Sequence, residues 1–494
     1  MKYEGDHNFQ ETWILKSIQN LKVSDDVVII YPNSYKVGSS NLGFHSIFEQ
    51  LAINGKRAAR FFIDSRTLKF YSPDTKLRLK SFRNIYISIS FENDLINLYK
   101  ALRQEMGDDA SVWPEITIGG AAVNTSPFLF TGIADLMGIG DSEFYFENFG
   151  YLFESNRFYD CKQIDEYFKK PLEPFDEKSI FEDSNFDNKK NFSTILKIFF
   201  QNWNKICDRQ IPFASNFISP FSAFPDYFLI EISRGCPFSC AFCSFGNLGK
   251  PYDLFPIEKI IEKIERGYSF TKQIGLVCAA LPPIGYIENI VSNFPDANLH
   301  FSSLRVDSFD DRYIDIFSTL KVQTVTLAPE TANENIRKKL GKNFSDAQII
   351  ELIKNFVKNG IYKFKLYFII GLKFSNQRKQ MSDNEQFENS KISEEEIYSE
   401  IEELIDFIDK IQSNVYSQTR ILPYISISIN PFIPKPSCRW WFFPFISKNV
   451  YEKSRKIINK KIYNRKKIDV DFFSYREALK EYLLSWGIKD NLKN

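Results

Sequence analysis

Apolar residues recur along this chain in two series of short runs, each about a strand long and set apart by stretches with helical spacing. The first series is VVIIY (Val27–Tyr31), RFFI (Arg60–Ile63), IYISIS (Ile85–Ser90), EITIGG (Glu115–Gly120) and ADLMGIG (Ala134–Gly140). Strands apolar along their whole length are buried on both faces, as in a parallel sheet sandwiched by helices. These five units predict a doubly wound, Rossmann-like α/β domain over residues 1–155. Its ligand crevice should lie beyond the strand C-termini.

The rhythm lapses over residues 156–222, where pieces such as DEKSIFEDSNFDNKKN predict a linker with some helix. A second series begins at YFLIEIS (Tyr227–Ser233) and continues through QIGLVC (Gln273–Cys278), LHFSSL (Leu299–Leu304) and VQTVTLA (Val322–Ala328). It ends with KFKLYFIIG (Lys363–Gly371) and YISISIN (Tyr424–Asn430). Amphipathic helices fit between these runs, among them Ile257–Gly267 and Asp346–Gly360, the latter closed by a C-cap glycine. Six such units predict a partial (β/α)6 barrel over residues 223–430. Active residues belong at the strand C-terminal ends of that fold. The polar stretch Lys373–Ser393 reads as an exposed insertion, and residues 431–494 as a small C-terminal helical extension. No repeat of 20–50 residues is present.

Composition narrows the classes. Over 494 residues, 44% hydrophobic and 25% charged content rules out wholesale disorder. With 63 basic against 62 acidic residues, the +1 balance argues against a nucleic-acid footprint spread over the chain. The basic run KSRKIINKKIYNRKK reads as a solvated helix face. Only three histidines occur (His7, His45, His300), too scattered for a His-based metal enzyme, and His45 reads as a packing or surface residue. Seven cysteines are too few and too uneven for a disulfide scaffold. The start, MKYEGDHNFQ, lacks the apolar core of a signal peptide, and no run approaches the ~20 apolar residues of a membrane span. The aromatic stretch Arg439–Ile446, broken by Pro444, reads as a packed C-terminal core or barrel lid. We therefore expect a soluble, cytoplasmic protein of a reducing compartment with no membrane partner.

Chemistry concentrates just after the first barrel strand, in Arg234-Gly-Cys236-Pro-Phe-Ser-Cys240-Ala-Phe242-Cys243. Cys-x3-Cys-x2-Cys on one loop lets three thiolates converge on three corners of an iron–sulfur cube, leaving one iron open. A zinc site would want a fourth Cys or His nearby.

This segment closely resembles the signature of the radical S-adenosylmethionine (SAM) superfamily, with Phe242 at the aromatic position that family prefers. FSSLRVDSF, TLAPETANENIRKKLGK, KLYFIIGL and SISINPFIPKPSC resemble the later barrel strands of one subgroup, which couples the barrel to an N-terminal cobalamin-binding-type domain. YPNSYKVGSSNLGF, IGGAAVN and IGIGDSE resemble that domain, so the likeness covers most of residues 25–440. The resemblance implies that Cys236, Cys240 and Cys243 ligate a 4Fe-4S cluster whose open iron chelates SAM. One electron then splits SAM into methionine and a 5′-deoxyadenosyl radical. An electron donor such as flavodoxin or ferredoxin is expected, as is a small-molecule or peptide substrate.

Further binding groups are expected at later strand ends. Ser303 and Arg305 end the third strand; Arg305 could hold the methionyl carboxylate through two parallel bonds, or form a structural ion pair. Glu330 could accept the ribose hydroxyls or cap a helix, Lys365 and Tyr367 alternate on one face of the fifth strand, and Gly371 permits close approach to adenine. The family's Gly-Gly-Glu is absent at Val277–Pro283, where backbone carbonyls must substitute and Cys278 stands as a packing residue or a further ligand. Gly371 is followed by Leu-Lys-Phe instead of the family's Leu-Pro-x-Glu. In the N-terminal domain Asp-x-His-x-x-Gly is missing, but Gly119, Gly120, Gly140 and Asp141 stand where a tetrapyrrole or nucleotide tail could approach. The leading expectation is cobalamin-dependent methylation of an unactivated carbon. The alternatives are a corrin-free radical rearrangement or ring closure, and a non-catalytic cluster carrier. A methylthiotransferase is disfavoured because no cysteine precedes Cys161.

Overall fold

The computed structural model of the chain describes residues 9–142, 152–154, 211–373 and 392–485, apart from positions 54, 56, 127–128, 131, 139, 249–251, 302–303, 310, 436–437 and 442. The linker around Cys161 and Cys207 and most of the polar insertion after Lys373 lie outside the described residues, as does Ser303.

The N-terminal sheet contains β1 (Val23–Ile30), β2 (Arg57–Ile63), β3 (Phe70–Tyr71), β4 (Asn84–Ser88), β5 (Glu115–Gly119), β6 (Leu136–Gly138) and β7 (Leu152–Glu154). Their order is β3-β2-β1-β4-β5-β6-β7, parallel from β2 to β6 with antiparallel strands at both edges. All five predicted runs are strands. Side chains alternate across β1: Val28 and Ile30 enter one core, Val27 and Ile29 the other. Each core is closed by a helix with apolar residues three and four apart. Helix α1 (Leu42–Ile53) contributes Phe44, Phe48, Leu51 and Ala52 to one face, and α2 (Asp94–Met106) contributes Leu95, Leu98, Ala101 and Leu102 to the other. The chain leaves β1 toward β2 on one side and returns to β4 on the other, so the switch point where such sheets bind ligands lies at the C-terminal ends of β1 and β4.

The second sheet series is parallel and in chain order: β8 (Phe228–Glu231), β9 (Gln273–Val277), β10 (Asn298–Phe301), β11 (Thr324–Glu330), β12 (Lys363–Ile370), β13 (Tyr424–Pro431) and β14 (Ile468–Phe472). The sequence β8-β9-β10 joins β11-β12-β13-β14 through a parallel bridge between Leu304 and Leu327. The outer side is packed by α3 (Ile257–Tyr268), α4 (Asp346–Lys358), the long α5 (Glu394–Thr419) and α6 (Lys448–Ile462). Ser345 and Ser393 start α4 and α5 with capping boxes. The six predicted barrel strands are present, and the helical extension adds a seventh, β14, paired parallel to β13. The last helix, α7 (Tyr475–Ser485), returns to the N-terminal half and buries Leu484 in its core.

Candidate active site

The cysteine loop leaves the rim of the second sheet after β8 and is pinned by backbone bonds on both sides. Ala241 N–H donates to the Leu340 carbonyl at 2.9 Å, and the Ala241 carbonyl accepts from Trp440 N–H at 3.0 Å. Asn247 Nδ2 donates to the carbonyls of Cys240 (2.8 Å) and Cys243 (2.6 Å). Gly246 N–H lies 3.5 Å from Cys243 Sγ, and any larger residue there would put a Cβ 2.4 Å from the Phe238 carbonyl oxygen. Under the loop lies an apolar floor of Ala241, Leu340, Leu372, Phe432 and Cys438, with Phe242, Trp440 and Phe443 packed against it. Trp440 and Phe443 of the stretch Arg439–Ile446 are thus packed core beneath this loop, as its aromatic pattern predicts.

Burial pushes the Cys236 and Cys243 thiols up, and each also feels the charge of Cys240. Cys240 is buried. Three thiols on one pinned loop, within electrostatic reach of one another, form a soft donor set suited to iron and sulfide. Among the described residues no group of three or more His, Cys, Asp or Glu side chains is arranged to hold a single metal ion. A cube does not require one, because its thiolates bind different irons.

Arg305 and Lys342 stand beside the loop. Arg305 Nη1 donates to Cys240 Sγ at 3.1 Å, its Nε and Nη2 chelate Asp307 at 3.0 and 2.8 Å, and Nη2 also reaches the Gly341 carbonyl at 3.0 Å. The two parallel bonds expected for a methionyl carboxylate are therefore made to Asp307. Lys342, almost fully buried, donates to Glu330 Oε1 at 2.6 Å and to the Ala328 carbonyl at 2.7 Å. Glu330 ends β11 after a register shift, with φ +67. That backbone region is costly for a non-glycine residue and clusters at functional rims. Glu330 caps no helix; its carboxylate is anchored at the rim by Lys342.

The remaining barrel residues divide by height. Gly371 sits at the rim with φ +92, its N–H donating to Glu400 Oε2 at 2.8 Å, and Leu372 N–H reaches Oε1 at 3.3 Å. Burial raises the Glu400 carboxyl to about 7. Lys365 and Tyr367 do share the inner face of β12, with Lys365 Nζ 5.1 Å from the Tyr367 ring centroid. Lys365, however, precedes Gly371 by six residues, or about 20 Å of strand. The structure places it near the foot of the sheet, not with the cysteines. Cys278 follows β9 half-buried and packs against the barrel core.

In the N-terminal sheet, protein contacts engage the predicted strand-end residues. Gly119 ends β5 with the Gly138 carbonyl oxygen 3.3 Å from where a Cβ would stand. Gly120 has φ +119 and abuts the Ile89 carbonyl, 2.3 Å from any added Cβ. Gly140 N–H donates to Asn124 Oδ1 at 2.8 Å, and Asp141 Oδ2 pairs with Arg234 Nη1 at 3.2 Å. At the switch point, Asn33 Nδ2 donates to Asp94 Oδ1 at 2.8 Å, while Asp94 Oδ2 and Asn93 Oδ1 are buried with no hydrogen-bond partner. Burial raises the Asp94 carboxyl to about 7. Acceptors left without donors fit an amide-bearing ligand such as a corrin in polarity, and the switch point fits it in position. His45 is unavailable as a cobalt ligand: Nε2 bonds the Ser39 carbonyl (2.9 Å) and Nδ1 accepts from Asn216 N–H (3.1 Å).

Several of these groups escape sequence reading. Nothing distinguishes Lys342 from Lys338 and Lys339 three and four residues earlier, and Glu400 and Trp440 lie far along the chain. Gly246 and Asn247, directly downstream of Cys243, are the ones that local spacing could have flagged.

Residues 230–381 match the Radical SAM superfamily. An uncharacterized protein of Methanocaldococcus jannaschii, MJ0966, is 25% identical over 421 residues, spanning 84% of this chain and 79% of that relative. Among solved structures, the radical SAM methyltransferase TsrM from Kitasatospora setae, with cobalamin and a [4Fe-4S] cluster bound, aligns with TM-score 0.47 and 10% identity over 82% of this chain and 75% of its own. The cobalamin-dependent radical SAM enzyme OxsB aligns with TM-score 0.42 and 12% identity over 90% of this chain and 62% of its own. No helix among the described residues is long and apolar enough to cross a membrane.

Proposed function

We propose, from the match of residues 230–381 to the Radical SAM superfamily, that this chain binds a 4Fe-4S cluster through Cys236, Cys240 and Cys243 and uses it to cleave SAM reductively. The supporting observation is the pinned three-thiol loop at the sheet rim, with Lys342, which anchors the Glu330 carboxylate, 5.7 Å from the Phe242 ring of that loop. When bound, such a cluster supplies the electron that breaks the SAM sulfonium to methionine and a 5′-deoxyadenosyl radical. The chain's own contribution is binding and exclusion. Each thiol gives up its proton on ligation, which burial of Cys236 and Cys243 otherwise opposes. Glu330 offers an oriented acceptor for ribose hydroxyls, and Glu400 fixes the Gly371–Leu372 backbone against which adenine would lie. Phe432, Trp440 and Phe443 close the underside of the loop to water.

For the finer reaction we propose methyl transfer to an unactivated carbon of a small molecule or peptide. Cobalamin would supply the methyl group when bound, held at the switch point by Asn33, Asn93 and Asp94. A corrin-free rearrangement or ring closure stands as the second reading, favoured by the internal engagement of Gly120, Gly140 and Asp141. An external one-electron donor of the flavodoxin or ferredoxin type, in the reducing cytoplasm, completes either reading.

The test is anaerobic reconstitution with iron and sulfide, followed by SAM and dithionite, with and without added cobalamin. We expect 5′-deoxyadenosine from the native chain and none from Cys240→Ala; undiminished cleavage by that variant would overturn the cluster assignment. Co-purifying corrin with labelled methyl transfer supports the first finer reading. Cleavage without either supports the second.

A further inference from the structure

The guanidinium of Arg305 is held from four sides. Asp307 chelates it through two bonds at 3.0 and 2.8 Å, the Gly341 carbonyl accepts at 3.0 Å, and the Phe238 ring lies 3.8 Å from its central carbon. The fourth contact is Nη1 to Cys240 Sγ at 3.1 Å. Its side chain is 10% exposed, so the charge acts through little solvent. Gly341, whose carbonyl completes the seat, has φ +89, a conformation that favours glycine. A planar fork fixed by carboxylate, carbonyl and ring is pre-organised, and one of its two remaining N–H groups, on Nη1, points at a sulfur.

We propose that Arg305, braced by Asp307, is a positioning residue that sets the reduction potential of the cluster through its N–H bond to the Cys240 sulfur. This rests on the cluster reading above and adds to it a role different from carboxylate binding. Hydrogen bonds to ligating sulfurs are among the levers that set iron–sulfur potentials. Reduction adds negative charge to the cluster and its sulfurs, so a fixed cation donating to one of them favours the reduced state. The same bond orients the Cys240 side chain before iron arrives.

The experiment is a redox titration of the reconstituted cluster, followed by electron paramagnetic resonance, without SAM. Arg305→Gln is expected to lower the reduced-to-oxidised ratio at a given potential about tenfold, a shift of about 59 mV to the negative for one electron. Arg305→Lys, which keeps the positive charge but cannot make the fork to Asp307 and Gly341, is expected to shift the potential in the same direction by less. An unchanged potential in Arg305→Gln with full iron content overturns the proposal. If Arg305→Gln retains no cluster, Arg305→Lys decides, and a native potential in that variant overturns it. An Arg305→Gln variant that loses SAM affinity while keeping the native potential would assign the residue to the methionyl carboxylate instead. Failure of the native chain to take up any cluster would defeat the underlying reading, a result distinct from all of these.

Discussion

His45 shows how much one buried side chain can carry in a chain with three histidines. Burial lowers its pKa to about 4, with the Ser39 carbonyl opposing and the Arg60 charge adding to the drop. It stays neutral in the fold while the unfolded chain protonates near pH 6.5. Stability from this residue is therefore complete above about pH 6.5 and lost as pH falls toward 4, amounting to about 3 kcal/mol. His45→Gln should be less stable at neutral pH yet lose less on going to pH 5, as read from urea midpoints at both values. At this scale the sequence is a partial guide. The cysteine spacing reports the three thiols directly because their chemistry is local. Lys365 misleads because alternation reports which face a side chain takes and not its height on the strand. Lys342 is invisible because its meaning depends on Glu330, twelve residues away across a bulge.

At the scale of elements, the rim of β12 depends on a helix that starts more than twenty residues later. Glu400 of α5 accepts from Gly371 and Leu372, and its raised pKa of about 7 means the carboxyl is protonated in the fold well above its ordinary range. The fold binds this proton more tightly than the unfolded chain does, so the associated stability is present below about pH 4.5 and fades as pH rises toward 7. Glu400→Gln should flatten that dependence in thermal melts over pH 5–8 while preserving the strand end. Glu400→Ala should lower stability by about 1–3 kcal/mol through unsatisfied backbone N–H groups. The strands themselves were largely legible, because buried parallel strands write themselves as unbroken apolar runs. The exceptions are the short edge strands β3 and β7 and the C-terminal β14, Ile468–Phe472, whose IDVDF alternates apolar and acidic residues over too short a span to stand out behind a basic helix.

At the scale of the whole molecule, the two sheets are tied by few charges, centred on the buried carboxylate of Glu92. Lys435, beyond β13, pairs with Glu92 of the N-terminal half at 3.2 Å and with Glu481 of α7 at 2.8 Å. Burial opposes its charge, but the two carboxylates hold the ammonium above its ordinary range. Removing one partner of a buried pair strands the other, at a cost of about 3–5 kcal/mol. Lys435→Ala should therefore speed proteolytic cleavage between the halves and lower the melting temperature, whereas Lys435→Ala combined with Glu92→Gln should recover part of the loss. None of these ties was legible in sequence, since long-range charge pairing leaves no periodic trace.

The cysteine loop also has a calendar. Its backbone is stitched to Trp440, and Arg439 reaches the Ser239 carbonyl from 200 residues downstream. A chain still being synthesised presents its three thiols long before the segment that pins them exists. The seat for these thiols is thus completed only when the far end of the chain has been made, and a product stopped short of Arg439 would display the motif without the seat.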